Sequence, residues 1–460
     1  MALTNEDLSR PIDWRDAKFA PMLEDLQGHI LKHHGRDHTN HLFLRFEGSV
    51  DATKAAIRTI GNRVLTALAQ LQQVEAHKTT GADGGPVVLF YLSAAGYAKL
   101  GLTPPNDPAF GEGMQPRGSS MSDPDPVLWE EHLREPADAL LIVADVDDTK
   151  ATQVETGLLP GLAAAGIVVL GRDVGRALKD AQNVGHEHFG YTDGISQPLM
   201  LDDEVDGAAT EPWDPRFGPG EVVLVRDPHG AGEDSFGSYL VYRKLEQRVR
   251  DFKIAEYELA DQLGLTGDDG ERAGAMVIGR FENGTPLAVA QTDVPQNATN
   301  NFVYGGSRGI DPDGLRCPFH GHIRKTNPRG DTGDMDAERT HLMARRGIPY
   351  GERADDWQSD DIAAKPNGGV GLIFMAFNQE IERQFEFTQI LWANNPNFAP
   401  GRNPGLDPVI GQGPRAEQTW RQRWDDPDSP TRQFLFDQFV TLRGGDYFFA
   451  PSVGFMKNLQ

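Results

Sequence analysis

Apolar positions along this chain follow two rhythms. Continuous apolar runs mark strands buried on both faces, and apolar residues three and four apart mark helices. Residues 41–46 (HLFLRF) read as a first strand. Over residues 51–75, Ile57, Ile60, Val64, Leu68 and Leu71 recur on one face of a single predicted helix. Residues 87–93 (VVLFYLS) and 139–146 (ALLIVADV) give two more strands. Residues 151–165 read as a helix that Pro160 weakens, and 166–171 (GIVVLG) as a fourth strand. The order β-α-β-β-α-β is the ferredoxin-like pattern, an α+β unit whose antiparallel sheet carries helices on one face.

The second half starts the same way. Residues 238–244 (SYLVYRK) predict a strand, and Leu245, Val249, Phe252, Leu259 and Leu263 a helix. A strand at 370–377 (VGLIFMAF), a helix at 379–393 and a late strand at 446–450 (DYFFA) follow. One strand of a second βαββαβ unit has no place in this pattern. Residues 283–367 are rich in Gly, Pro, Asp and Arg and read as long loops. Irregular stretches of that length in a compact protein carry function. The Gly-, Pro- and acid-rich stretch at 202–234 is the crossing between halves. Two domains are expected, 1–215 and 216–460.

Charge narrows the function classes. Lys and Arg number 44 against 68 Asp and Glu, a net charge of −24 that repels nucleic-acid phosphates and anionic membranes. Cations and neutral molecules are accepted. No apolar run reaches the length of a membrane span. The opening residues have neither a basic nor an apolar signal region, so a cytoplasmic protein is expected, with release from the cell left open. A single cysteine, Cys317, excludes an internal disulfide, a cysteine zinc site and an iron–sulfur cluster. No phosphate-binding glycine motif and no H-E-x-x-H is present.

Histidines cluster. His29, His33, His34, His38 and His41 read as surface or capping residues. Two H-x-H pairs, His186 with His188 and His320 with His322, would chelate a metal if each lay on a strand; otherwise they are ordinary loop histidines. GYTDG (190–194) is by itself only a turn. His322-Ile-Arg-Lys-Thr-Asn-Pro-Arg329 and Arg345-Arg346 are basic islands in an acidic chain, suited to an anion or merely solvated.

Taken in order, seven blocks resemble one family. LEDLQGHILKHHGRDHTNHLFLRF, HEHFGYTDGISQP, CPFHGHIRKTNPRGD, RRGIPYG, GLIFMAFNQEIERQFEFTQILWANN, DPVIGQG and LRGGDYFFAPS are similar to blocks of the dye-decolorising peroxidases, in that family's order. The long-loop bacterial and fungal members are the better match. The resemblance implies two ferredoxin-like domains, with haem held mainly by the C-terminal half. It implies one non-covalent heme b whose iron is ligated by His322, and there is no C-x-x-C-H for thioether links. Asp193 would be the distal acid–base and Arg345 the distal arginine, with its neighbour Arg346 competing. Asp407 would accept the other N–H of the proximal imidazole. Leu372 and Phe374 would line the distal pocket, Ile195 would lie over the haem edge, and Arg324 and Arg329 would meet the propionates. His186, His188 and His320 receive no iron-binding role.

Under this resemblance the reaction reduces hydrogen peroxide and oxidises small organic or cationic donors: dyes, phenolics, lignin-derived compounds or Mn²⁺. An aspartate, ordinarily titrating near ~3.9, is an ionised base at lower pH than a histidine near ~6.5. An arginine beside it would stabilise charge on the departing oxygen. Trp392, Trp420, Trp424 and Tyr350 are candidates for carrying electrons to the surface, or simply packed aromatics. Two other functions compete: a haem-handling protein with little turnover, and a non-haem metal enzyme built on the H-x-H pairs.

Overall fold

The computed structural model describes residues 2–206, 208–306, 309–399 and 401–460, with the backbone alone at 268. Eight strands form its centre. The N-terminal four are β1 (His38–Phe46), β2 (Val87–Leu92), β3 (Ala139–Asp145) and β4 (Ile167–Arg176). They pair antiparallel in the order β4-β1-β3-β2, the ferredoxin-like arrangement. The other four are β5 (Phe236–Gln247), β6 (Ile348–Tyr350), β7 (Gly371–Asn378) and β8 (Val440–Ala450). Their order, β8-β5-β7-β6, repeats the arrangement. The sheets also meet at both edges, through Tyr350 opposite Gly175 and Phe449 opposite Leu92. The eight strands therefore close into a ring.

The strand missing from the sequence pattern is β6, three residues inside RRGIPYG. It is too short for a period-2 signal and lies among Gly and Pro. Four other strands run longer than expected, because ladder bonds extend them past their apolar cores: β1 starts at His38 rather than 41, β4 and β5 continue at their C-terminal ends, and β8 starts at Val440 rather than 446.

The expected single helix over 51–75 is two: α1 (Val50–Gly61) and α2 (Ala67–Thr80). Thr66 caps the second, its side chain accepting from Ala69 N, while Leu65 N donates to Val88 O, which pulls the chain out of helical register. Pro160 is tolerated inside α3 (Asp148–Ala164). Leu245 belongs to β5, and the following helix α4 starts later (Val249–Leu263). The predicted helix over 379–393 is instead wide π-type turns at Glu382–Glu386 and Thr388–Ala393.

Strand side chains alternate between two apolar clusters. Phe43, Leu140, Ile142, Leu240, Tyr242, Ile373 and Phe448 form one. Leu42, Leu44, Leu141, Val143, Val241 and Phe449 form the other, with Ile57 and Ile60 of α1 and Leu158 and Leu162 of α3. Continuous apolar runs were the right signal because both faces of these strands are covered. Among the described residues no helix is long and apolar enough to cross a membrane.

Candidate functional site

On the helix-covered face of the C-terminal sheet, β5 and β7 build the wall of a cavity. Opposed pairs on the two strands, Leu245 with Leu372 and Arg243 with Phe374, all line it. In β7 the side chains of Leu372 and Phe374 line the cavity, while Ile373 between them and Gly371 before them are buried. The cavity holds about 1820 Å³ free of protein atoms, its open mouth included. Most lining residues come from positions after 240; the segment 187–196 is the N-terminal half's contribution.

That segment carries the G-x-x-D-G turn. Gly190 and Gly194 sit at φ of 103° and 81°, the left-handed region that glycine enters without strain. The turn is held by Asp193 N donating to Gly185 O (3.0 Å) and Thr192 N to Glu282 O (2.9 Å). Asp193 and Ile195 both line the cavity, with Asp193 exposed to it.

His322 opens the short helix α6 (His322–Thr326) after Arg272–Ile278, which is α5. Its Nδ1 lies 2.9 Å from Asp407 Oδ2. Among the described residues nothing partners its Nε2, and the ring lines the cavity. Asp407 is fully buried, and its Oδ1 accepts from Val409 N (2.8 Å) and Ile410 N (2.9 Å). Burial alone would raise this carboxyl; the His322 ring and the three hydrogen bonds outweigh it and hold Asp407 below the ordinary range.

The choice between neighbouring arginines is decided by geometry. Arg345 lines the cavity, its Nη2 donating to Ser196 O (3.0 Å). Arg346 points elsewhere: it is buried and donates to the carbonyls of His29, Ile30 and Arg345. Arg329 also lines the cavity. It donates to Asn300 O and Phe302 O (2.7 Å each), and among the described residues nothing partners its buried Nε.

The expectation for Arg324 is corrected. Its guanidinium is buried outside the cavity lining and fully engaged, by Asp331 through Nε (2.6 Å) and Nη2 (2.8 Å) and by Asp311 Oδ2 (3.1 Å). Two carboxylates leave it no charge to offer an anion. The sequence reading missed Arg280, which lines the cavity and donates to Gly284 O, Thr299 O and Ser196 Oγ. Burial, then the neighbouring Arg329, pushes it down to about 9. No local pattern marks it; only the fold brings it beside Arg329.

The surface reading of the N-terminal histidines holds for His33, which is exposed, and fails for three others. His29, His34 and His41 are buried. The rings of His29, His33 and His34 lie 4.4–5.0 Å apart by centroid. Each Nδ1 accepts a backbone N–H, from His34, Gly35 and Arg36 respectively, so these rings do cap the chain and their Nδ1 lone pairs are taken. The H-x-H pairs do not converge either. His186 Nδ1 contacts Gly190 O, His188 Nε2 contacts Tyr350 O, and His320 packs edge-on against Trp420 at 4.3 Å while His322 turns to Asp407. Trp392, Trp420 and Tyr350 are buried.

One cavity thus brings together an imidazole backed by a carboxylate, an exposed carboxylate, and three arginines (Arg280, Arg329 and Arg345) that donate, among the described residues, to carbonyl, hydroxyl or amide oxygens rather than to carboxylates. Apolar walls separate them. Such a site suits a large apolar group with acidic substituents and a metal that accepts one nitrogen ligand.

No family model matches the chain. It is 45% identical over 474 residues to the multifunctional dye peroxidase DyP2 of Amycolatopsis, covering 98% of this chain and 99% of that one. It is 31% identical to peroxidase 2 of Mycetinis scorodonius, over 95% of this chain and 87% of that protein. The solved structure of the Amycolatopsis protein superposes with a TM-score of 0.94 at 44% identity, over 98% of this chain and 99% of that one. A DyP-type peroxidase of Anabaena superposes at 0.92 with 36% identity, over the full length of both.

Proposed function

The chain belongs to the dye-decolorising peroxidase family, and from that premise we propose that its cavity is a haem site worked by His322, Asp407, Asp193 and Arg345. The protein is a haem-dependent peroxidase that reduces hydrogen peroxide and oxidises dyes and other organic donors. One non-covalent heme b is the reading its residues favour. His322 Nε2, which nothing partners among the described residues, would hold its iron, and Arg329 with Arg280 would meet its acidic substituents. Ile195, Leu372 and Phe374 supply apolar contact.

Bound haem would supply an iron that takes peroxide as a ligand and accepts its oxidising equivalents. The chain's own groups handle the protons and the charge. Asp193 takes the proton from one peroxide oxygen and returns it to the other, so that water can leave. Arg345 stabilises negative charge on the departing oxygen. Asp407 holds the His322 ring by its Nδ1–H, which fixes the tautomer and leaves Nε2 bare to ligate.

The observation that carries this reading is that Asp193, Arg345 and His322 line one cavity, with Asp407 buried behind the His322 ring, although the four come from distant stretches of chain. A haem-handling protein requires the axial ligand alone and has no use for Asp193 and Arg345. The test is His322→Ala, which should purify without stoichiometric haem and without the parent's Soret band. Retention of both would sink the axial assignment.

A further inference from the structure

The residues after the G-x-x-D-G turn, Ile195-Ser196-Gln197-Pro198, have a role beyond closing the turn. We propose that Gln197 is a positioning residue for Arg345, so that the turn bearing Asp193 also holds the arginine that works with it. The proposal rests on the reading of Arg345 given above.

Ala344–Arg345 is a two-residue strand at the edge of the sheet, paired with β7 on one side only. Successive N–H groups of a strand face opposite sides. Arg346 N donates inward, to Met375 O of β7 at 2.7 Å. Arg345 N faces off the edge, where Gln197 Oε1 accepts it at 3.1 Å. The side-chain amide oxygen of Gln197 stands where the carbonyl of a further strand would be. A second tether comes from the neighbouring residue: Arg345 Nη2 donates to Ser196 O at 3.0 Å. Two adjacent residues thus grip Arg345 at its backbone and at its tip.

The physical need is clear. A free arginine side chain samples many rotamers, and a guanidinium that wanders stabilises no particular oxygen. Asp193 and Gln197 are four positions apart on one turn, whereas Arg345 is 148 positions beyond Gln197. Anchoring Arg345 to that turn makes the spacing of carboxylate and guanidinium a local property. The Ser196 hydroxyl extends the link, donating to Asn300 Oδ1 (2.9 Å) and accepting from Arg280 (3.1 Å).

The experiment is a double-mutant cycle on the haem-loaded enzyme, read as the second-order rate constant with hydrogen peroxide. Gln197→Met removes the acceptor and keeps the length. It should slow the reaction by about 10- to 100-fold, the cost of a small misplacement, with haem content and thermal midpoint near the parent's. Gln197→Glu keeps an acceptor oxygen and should recover most of the rate, which a merely structural role does not require. Arg345→Leu should be slow, and adding Gln197→Met to it should slow it no further. A parent-like rate in Gln197→Met, no recovery in Gln197→Glu, or a full further loss in the double variant overturns the proposal. A parent-like rate in Arg345→Leu overturns the role of Arg345 itself, and this proposal with it.

Discussion

Asp407→Asn exchanges one carboxylate oxygen for an amide nitrogen in a buried site, and its effect follows from hydrogen-bond polarity. Oδ1 of Asp407 accepts from two backbone N–H groups, so the side-chain oxygen of asparagine stays on that side. The amide NH₂ then replaces Oδ2, 2.9 Å from His322 Nδ1. An NH₂ cannot accept from Nδ1–H. The neutral ring must move its proton to Nε2, the atom that has to be bare to ligate iron. Loss of such a partner behind a metal-binding histidine costs about 10- to 100-fold in affinity, or roughly 1.4–2.7 kcal/mol. Asp407→Ala differs: it leaves Val409 and Ile410 N–H unpaired, at about 1–3 kcal/mol each, and should lower thermal stability as well. The assay is titration of haem-free protein with hemin, followed by Soret absorbance, with thermal unfolding alongside. Asn should weaken haem binding at near-parent stability, and Ala should weaken both. Equal hemin affinity in the parent and Asp407→Asn would refute the tautomer argument.

Asp193→Asn should slow the reaction with peroxide by about 10²–10⁴-fold without changing haem content, the usual worth of a placed acid–base, as read by stopped-flow absorbance; a parent-like rate removes Asp193 from the mechanism. With a net charge of −24, added salt should raise kcat/KM for an anionic dye and lower it for a cationic donor, because screening shortens the field to about 8 Å at 0.15 M. Equal slopes across an ionic-strength series would show that net charge does not steer donors. Buried His41 is pushed down to about 4 from 6.5 by desolvation. The unfolded chain therefore binds its proton first, and the stability His41 contributes is complete above pH 6.5 and lost as pH falls toward 4. Buried Glu256 and Asp446, each raised to about 7 chiefly by burial, act in the opposite sense, so the comparison must be with a variant. From pH 8 to pH 5 the parent should lose about 2 kcal/mol more in urea unfolding than His41→Gln; parallel pH profiles would contradict this.

Periodicity was enough for the first βαββαβ unit because its strands are long, apolar on both faces and separated by helices. The glycines of the G-x-x-D-G turn were legible too, since the conformation they need is written in their own residue type. Likewise the blocks around His322, Arg345 and Asp407 named the chemistry by resemblance, as each is a local pattern. The tertiary structure decided what depends on contacts between distant residues. It placed β6, whose three residues are a strand only because β4 and β7 flank them. It set Arg345 in the cavity and Arg346 on the carbonyls of His29 and Ile30, a choice that adjacent identical side chains cannot express in sequence. It withdrew Arg324 behind Asp311 and Asp331, brought in Arg280, and buried His29, His34 and His41. In each case charge and residue type were the same either way. What differed was which partner the fold put within about 3 Å, and a hydrogen bond or an ion pair forms only at that range.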